Sequence, residues 1–224
     1  MKRVLFLGVV CLYGLNQASA NVYVYTNQSA FNAVTTTTTV NFVGLAPANS
    51  FTDYPGTLTV GAVTFTNQGG IASEMAVVDP GFSGGYNLGT GPVLGLFYGS
   101  APQMTMRTSL LGSFTAVSEI VANWYAPSNA TIVLDNGFTY NFVVNGSYVD
   151  NPNLNFIGFT SDGAAIAYVD FTSGTGINDF GANADGPLIG AVQYGAATPE
   201  PGFYGALALG LSGLFVSVRR RRSA

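Results

Sequence analysis

The chain has 224 residues, with seven Lys and Arg, eleven Asp and Glu, no histidine and one cysteine, for a formal charge of -4. The lack of histidine excludes a Ser-His-Asp triad and an imidazole zinc site, and a lone cysteine makes no disulfide within the chain. Six of the seven basic residues sit at the two ends, so Asn21 to Ala197 carries one base, Arg107, against ten acids, a charge of -9; such a surface repels phosphate, which excludes nucleic acid and anionic membrane surfaces as partners.

In chain order, the first element is a leader. Lys2 and Arg3 precede an apolar stretch from Val4 to Leu15, followed by the small residues Ala18-Ser19-Ala20. This is the pattern of a secretory signal peptide, residues 1–20, with cleavage by signal peptidase expected after Ala20. Cys11 lies inside the leader behind Val10, which is not a small residue, so no lipid attachment is expected. One short helix follows, with Asn27 or Ser29 as N-cap and Ala30 to Val34 as its body. The β-branched run from Thr35 to Thr39 then predicts a strand.

The rest reads as short strands rich in Val, Thr, Phe and Tyr. They are expected at Val22–Tyr25, Thr37–Phe42, Leu58–Thr66, Met75–Val78, Val93–Tyr98, Gln103–Thr108, Val117–Tyr125, Thr131–Leu134, Phe138–Asn145, Leu154–Thr160, Ala165–Thr172 and Ile189–Tyr194. Turn signals separate them: Pro47, Pro55-Gly56, Asp79-Pro80-Gly81, Gly84-Gly85, Pro127, Asn151-Pro152, Asp162-Gly163 and Asp185-Gly186-Pro187. The clearest hairpin joins Thr131–Leu134 to Phe138–Asn145 across Asp135-Asn136-Gly137, and Asn-Gly predicts a type I′ turn. Beyond it, Phe138, Tyr140, Phe142 and Val144 share one face, and Thr139, Asn141, Val143 and Asn145 the other, so one side packs and one meets water. Many short antiparallel strands in about 177 residues predict one all-β domain, residues 21–197, built as a jelly-roll-like β-sandwich.

The chain closes with Pro199-Glu200-Pro201, an uncharged apolar run from Phe203 to Val218, and Arg219, Arg220, Arg221 and Arg222. As a helix, the 16-residue run predicts a transmembrane segment of about 24 Å, with the arginines retained on the cytoplasmic side.

The triplet, the single apolar helix and the arginine cluster, in that order, resemble the PEP-CTERM sorting signal over residues 198–224. That resemblance implies export, recognition of the tail by an exosortase, transient residence in the inner membrane, and release to the cell surface or a biofilm matrix rich in exopolysaccharide. Parts of the body are similar to PEP-CTERM bodies: Ser29-Ala30-Phe31, Val40-Asn41-Phe42-Val43-Gly44-Leu45, Tyr54 to Phe65, Phe156 to Asp162 and Ile177-Asn178-Asp179-Phe180. The resemblance implies a lectin-type sandwich. Val43 departs from it, standing where the pattern often has an acid.

Candidate chemistry is sparse. Paired-carboxylate hydrolysis needs two facing acids, but the body's only glutamates, Glu74 and Glu119, are far apart in sequence and read as solvated charges. The glycine-rich Gly89-Thr90-Gly91-Pro92 and Gly174-Thr175-Gly176-Ile177 lack the following helix of a nucleotide loop. No cofactor is expected. Calcium is the one metal whose oxygen ligands are present, with Asp179 and Asp185 as candidates. Exposed aromatics suit sugar stacking, and the candidates are Trp124, Tyr125, Tyr148 and Tyr86. The sequence therefore reads as a non-catalytic exported binding module for exopolysaccharide or other matrix components. A passive coat protein without a specific ligand is the alternative, and a carboxylate-dependent glycoside hydrolase ranks third.

Overall fold

A computed structural model describes residues 20–68, 74–82, 86–87, 89–97, 104–122, 128–144, 155–172, 186–198 and 212. Residues 1–19 of the leader (with Ala18), the Pro199-Glu200-Pro201 triplet, the apolar run and the arginines Arg219 to Arg222 lie outside the described residues, apart from Ser212 within the run. Among the described residues, no helix is long and apolar enough to cross a membrane.

The fold is an all-β sandwich of two antiparallel sheets. The first contains β1 (Val22–Tyr25), β2 (Thr35–Asn41), β3 (Phe51–Asp53), β6 (Glu74–Val78), β7 (Val93–Phe97), β9 (Ala116–Ala122), β12 (Asn155–Ser161) and β14 (Leu188–Ala197). The second contains β4 (Thr57–Val60), β5 (Val63–Asn67), β8 (Thr105–Leu110), β10 (Ser128–Leu134), β11 (Thr139–Val144) and β13 (Ile166–Thr172). Their spatial orders are β1-β12-β9-β14-β7-β6-β3, with β2 also on β14, and β11-β10-β13-β8-β5-β4. Strands β7 to β14 pair as nested couples: β7 with β14, β8 with β13, β9 with β12, and β10 with β11. A ribbon rolled this way into two layers has the winding of a jelly roll.

Period-two alternation builds the core. Phe42, Phe65, Met75, Val77, Leu94, Leu96, Met106, Ile132, Phe159 and Phe171 come from both sheets and meet between them. On β11 the predicted alternation is present from Thr139 on: Thr139, Asn141 and Val143 are exposed, Tyr140 and Phe142 half-buried, and Val144 buried, whereas Phe138, expected on the packed face, precedes the strand and is exposed. Ala20 is buried against this core, and the Tyr140 hydroxyl donates to its carbonyl.

The short helix α1 (Gln28–Ala33) starts where expected, with Asn27 Oδ1 accepting from Ala30 N at 3.0 Å. It docks through Phe31, which is fully buried and lies over Gly158; a β-carbon there would sit 2.6 Å from the Phe31 ring. Tyr25 and Phe156 flank it, with ring centroids 5.8 and 5.6 Å away.

Three expectations are corrected. The stretch Leu58–Thr66 is not one strand but the hairpin β4–β5, because Gly61 adopts φ +59 and reverses the chain. The turn at Asp135-Asn136-Gly137 is not type I′. Only Gly137 has positive φ, at +87; its N–H donates to Leu134 O at 2.9 Å, and Leu134 N donates to Phe138 O at 2.9 Å. These bonds define a three-residue loop in which a turn is followed by a left-handed glycine. Third, Glu119 is not a solvated charge. It is 1% exposed and points into the core beside Val117 and Val121.

Candidate functional site

The aromatic site is built on the outer face of the first sheet, at its β3 edge. On β3, Phe51 and Asp53 are two apart and share that face, opposite Val78 and Ala76 of β6. Ala76, Val78, Val93, Phe97, Ala122 and Leu188 form a second apolar cluster there, separate from the core, with Tyr86 packed against it. Gly95 gives Phe97 its place: a β-carbon at Gly95 would lie 2.4 Å from Phe97 Cζ, so the ring lies back over the glycine. The turn after β6 supplies Phe82. Asp79 Oδ1 accepts from Gly81 N at 2.9 Å and from Asn49 N at 3.0 Å, and Phe82 N donates to Asp79 O at 3.0 Å. Asp-Pro-Gly turn chemistry thus ties the 79–82 segment to the loop before β3.

These elements bring four rings into a run. Phe51 and Phe82 meet edge-to-face at 5.4 Å and 72°, Phe82 and Tyr86 are tilted at 6.2 Å and 37°, and Tyr86 and Phe97 meet edge-to-face at 5.7 Å and 79°. Phe97 is 6% exposed, whereas Phe51 and Phe82 are 44% and 48% exposed. Burying such rings is favourable, yet two of the four stand half in water on one patch. Together with Asp53, Ala76 and Val78 they line a shallow recess of about 40 Å³. Asp53 is exposed and, among the described residues, is the only charged side chain lining it.

Of the aromatic candidates from sequence, Tyr86 is in this site. Trp124, Tyr125 and Tyr148 lie outside the described residues, as do the calcium candidates Asp179 and Asp185. Among the described residues no group of three or more acidic, histidine or cysteine side chains is positioned for a metal. Phe51, Asp53, Phe82 and Phe97 were not singled out from sequence. The available signal was the Phe51-x-Asp53 spacing and the phenylalanine directly after an Asp-Pro-Gly turn.

Asp162 and Asp170 are engaged elsewhere. Asp162 accepts from Asn21 N at 2.6 Å and Asn21 Nδ2 at 2.9 Å. Asp170, on the outer face of the second sheet, makes a bidentate pair with Arg107, both bonds 2.7 Å, while the guanidinium sits 3.8 Å over the Tyr168 ring. The Asp170 side chain is only 15% exposed. Arg107→Ala is therefore expected to leave a mostly buried carboxylate unpaired and to cost about 1–3 kcal/mol, read as a lower urea midpoint with an unchanged slope. Glu119 has neither oxygen hydrogen-bonded. Its burial pushes the carboxyl up to about 8; Thr108 on the facing sheet pulls in the opposite direction, without hydrogen-bond geometry to either oxygen.

No protein-family model matches the chain, and no curated protein does. Among solved structures, it is similar to a family 29 carbohydrate-binding module at 10% identity and TM-score 0.37, covering 68% of this chain and 94% of that one. A family 29 module from Piromyces equi is matched at 11% identity and TM-score 0.31, covering 80% and 93%. The active domain of the bacteriophage CBA120 tailspike protein 4 is matched at 14% identity and TM-score 0.28, covering 65% of this chain and 19% of that one.

Proposed function

We propose that this protein is an exported, non-catalytic glycan-binding module of the bacterial surface or biofilm matrix. The observation that carries the reading is the half-exposed aromatic shelf of Phe51 and Phe82, backed by Tyr86 and Phe97, with the Asp53 carboxylate beside it. Pyranose rings present flat C–H faces that stack on aromatic rings, and their hydroxyls donate to carboxylates. The recess is shallow, which suits the side of a polymer better than an enclosed small molecule. The engagement of Asp79, Asp162 and Asp170 in backbone, amide and ion-pair contacts supports a module without paired catalytic acids.

Export belongs to the same proposal and rests on the leader pattern and on the resemblance of residues 198–224 to a PEP-CTERM signal. In it, signal peptidase removes residues 1–20, the 203–218 helix holds the chain in the inner membrane, and an exosortase releases it to the surface. Cleavage after Ala20 would turn the Asn21 N–H on Asp162 into an α-ammonium, making that bond a charge-assisted one.

Affinity electrophoresis through gels containing single exopolysaccharides tests the binding reading. Retardation of the wild-type chain is expected. Phe51→Ala and Phe82→Ala are each expected to weaken it by about tenfold, the loss of one stacking contact of about 1.4 kcal/mol. Unaltered migration in every polysaccharide would refute the proposal.

A further inference from the structure

The charge around the recess narrows the ligand class. This step rests on the glycan-binding reading and goes beyond it. Among the described residues, the sole charged side chain in the lining is the Asp53 carboxylate, and no hydrogen bond or ion pair engages it. The one base of the body, Arg107, is committed to Asp170 and Tyr168 on the other sheet. Among the described residues, no cation is therefore available in the lining to hold a uronate, sulfate or phosphate group. The aromatic faces add to the same preference. Each ring presents negative charge at its face, and the four rings, inclined at 72°, 37° and 79° from one to the next, line a space of about 40 Å³. Aromatic rings beside a carboxylate attract an ammonium group, and the field of a body with one base and ten acids draws cations toward them.

We propose that the recess formed by Phe51, Phe82, Tyr86, Phe97 and Asp53 recognises amino-bearing sugars, with the glycan a polymer that carries unacetylated glucosamine-type residues. The amine enters the recess as an ammonium and pairs with Asp53. The pyranose face lies on the exposed parts of Phe51 and Phe82. Acetylation of the amine removes the charge that pairs with Asp53.

The test is titration calorimetry of the full-length chain with hexamers of β-1,4-glucosamine, β-1,4-N-acetylglucosamine and β-1,4-glucose, with polylysine as the charge control. The expected result is binding of the glucosamine hexamer at least about tenfold tighter than either neutral hexamer at low ionic strength. The preference should disappear when salt is added or when pH is raised above the amine pKa. Asp53→Asn should abolish the preference while leaving the thermal midpoint unchanged, since Asp53 is an exposed edge residue. Phe82→Ala should weaken all sugar binding, and it provides a second reading if the Asp53 variant folds poorly. Equal binding of the three hexamers would overturn the amino-sugar assignment and leave the glycan reading standing. Binding of polylysine as tight as that of glucosamine would overturn it as simple charge attraction. Failure of every hexamer would overturn both readings.

Discussion

Glu119→Gln is expected to make the protein much more stable at alkaline pH and to change little in acid. The carboxyl lies in the core between the sheets, with both oxygens unpaired, and burial pushes it up to about 8. Its strand partners across β9 are Ile157 on β12 and Val192 on β14, neither of which offers a charge. Below the ordinary carboxylate range, folded and unfolded chains both hold the proton, and Glu119 carries no ionisation penalty. As pH rises past that range, the unfolded chain releases its proton while the folded chain keeps it, so stability falls with pH. Above about 8, both states are ionised and the full penalty is present. The gap from the ordinary 4.5 to about 8 corresponds to about 5 kcal/mol, an upper bound because the core relaxes around a charge. Glutamine keeps the shape and never ionises. Urea unfolding of both proteins from about pH 5 to about pH 9 checks this: the wild-type midpoint should drop steadily while that of the variant stays nearly flat. Parallel profiles would mean that the Glu119 side chain reaches water in solution.

Glu119 also shows where the sequence was legible and where it was not. The strand itself was readable from Val117 onward, and its polarity was not. Reading by period two would place Ser118 outward and Glu119 inward with Val117 and Val121, but an acid beside a serine reads as surface when residue type alone is weighed. The long alternating segments, such as β10–β11 and β13, were readable because each carries its own face pattern. The edge strand β3 was not. It is three residues long, lies between the turn signals Pro47 and Pro55-Gly56, and becomes a strand only through pairing with β6. The β4–β5 hairpin was hidden because Val60-Gly61-Ala62-Val63 continues the apolar run straight through the reversal. The aromatic site follows the same logic. Tyr86 stood out in a glycine-rich loop, but Phe51, Phe82 and Phe97 come together only once β3, the turn after β6 and β7 share one sheet edge. Their proximity is a property of topology, which spacing along the chain does not encode.

Gly95→Ala is expected to abolish the recess from beneath it. The backbone at Gly95 lies outside the left-handed region, so alanine meets no conformational obstacle there, and the effect must come from the added methyl group. That methyl would stand 2.4 Å from Phe97 Cζ and 2.5 Å from Leu188 Cδ2, well inside van der Waals contact. Both atoms are at the ends of side chains, so the clash resolves by movement of the rings and not of the sheet. Leu188 is fully buried in the same outer cluster and has little room to give. Phe97 can move only away from the sheet, toward Tyr86, whose ring already meets it at 5.7 Å. The displaced ring then occupies the space offered to a ligand and pushes Tyr86 toward Phe82. The stability cost is expected at about 1–3 kcal/mol, the range for overpacking a well-filled cluster. Binding of the glucosamine hexamer should fall by more than about tenfold, further than stability alone accounts for, because a fold weakened by that amount is still almost entirely native. Gly137→Ala is the control. It strains a positive-φ hairpin turn on the other sheet, far along the chain from the recess, and should lower stability with no change in sugar affinity. Wild-type affinity in the Gly95 variant would show that the ring over this glycine forms no part of the binding surface.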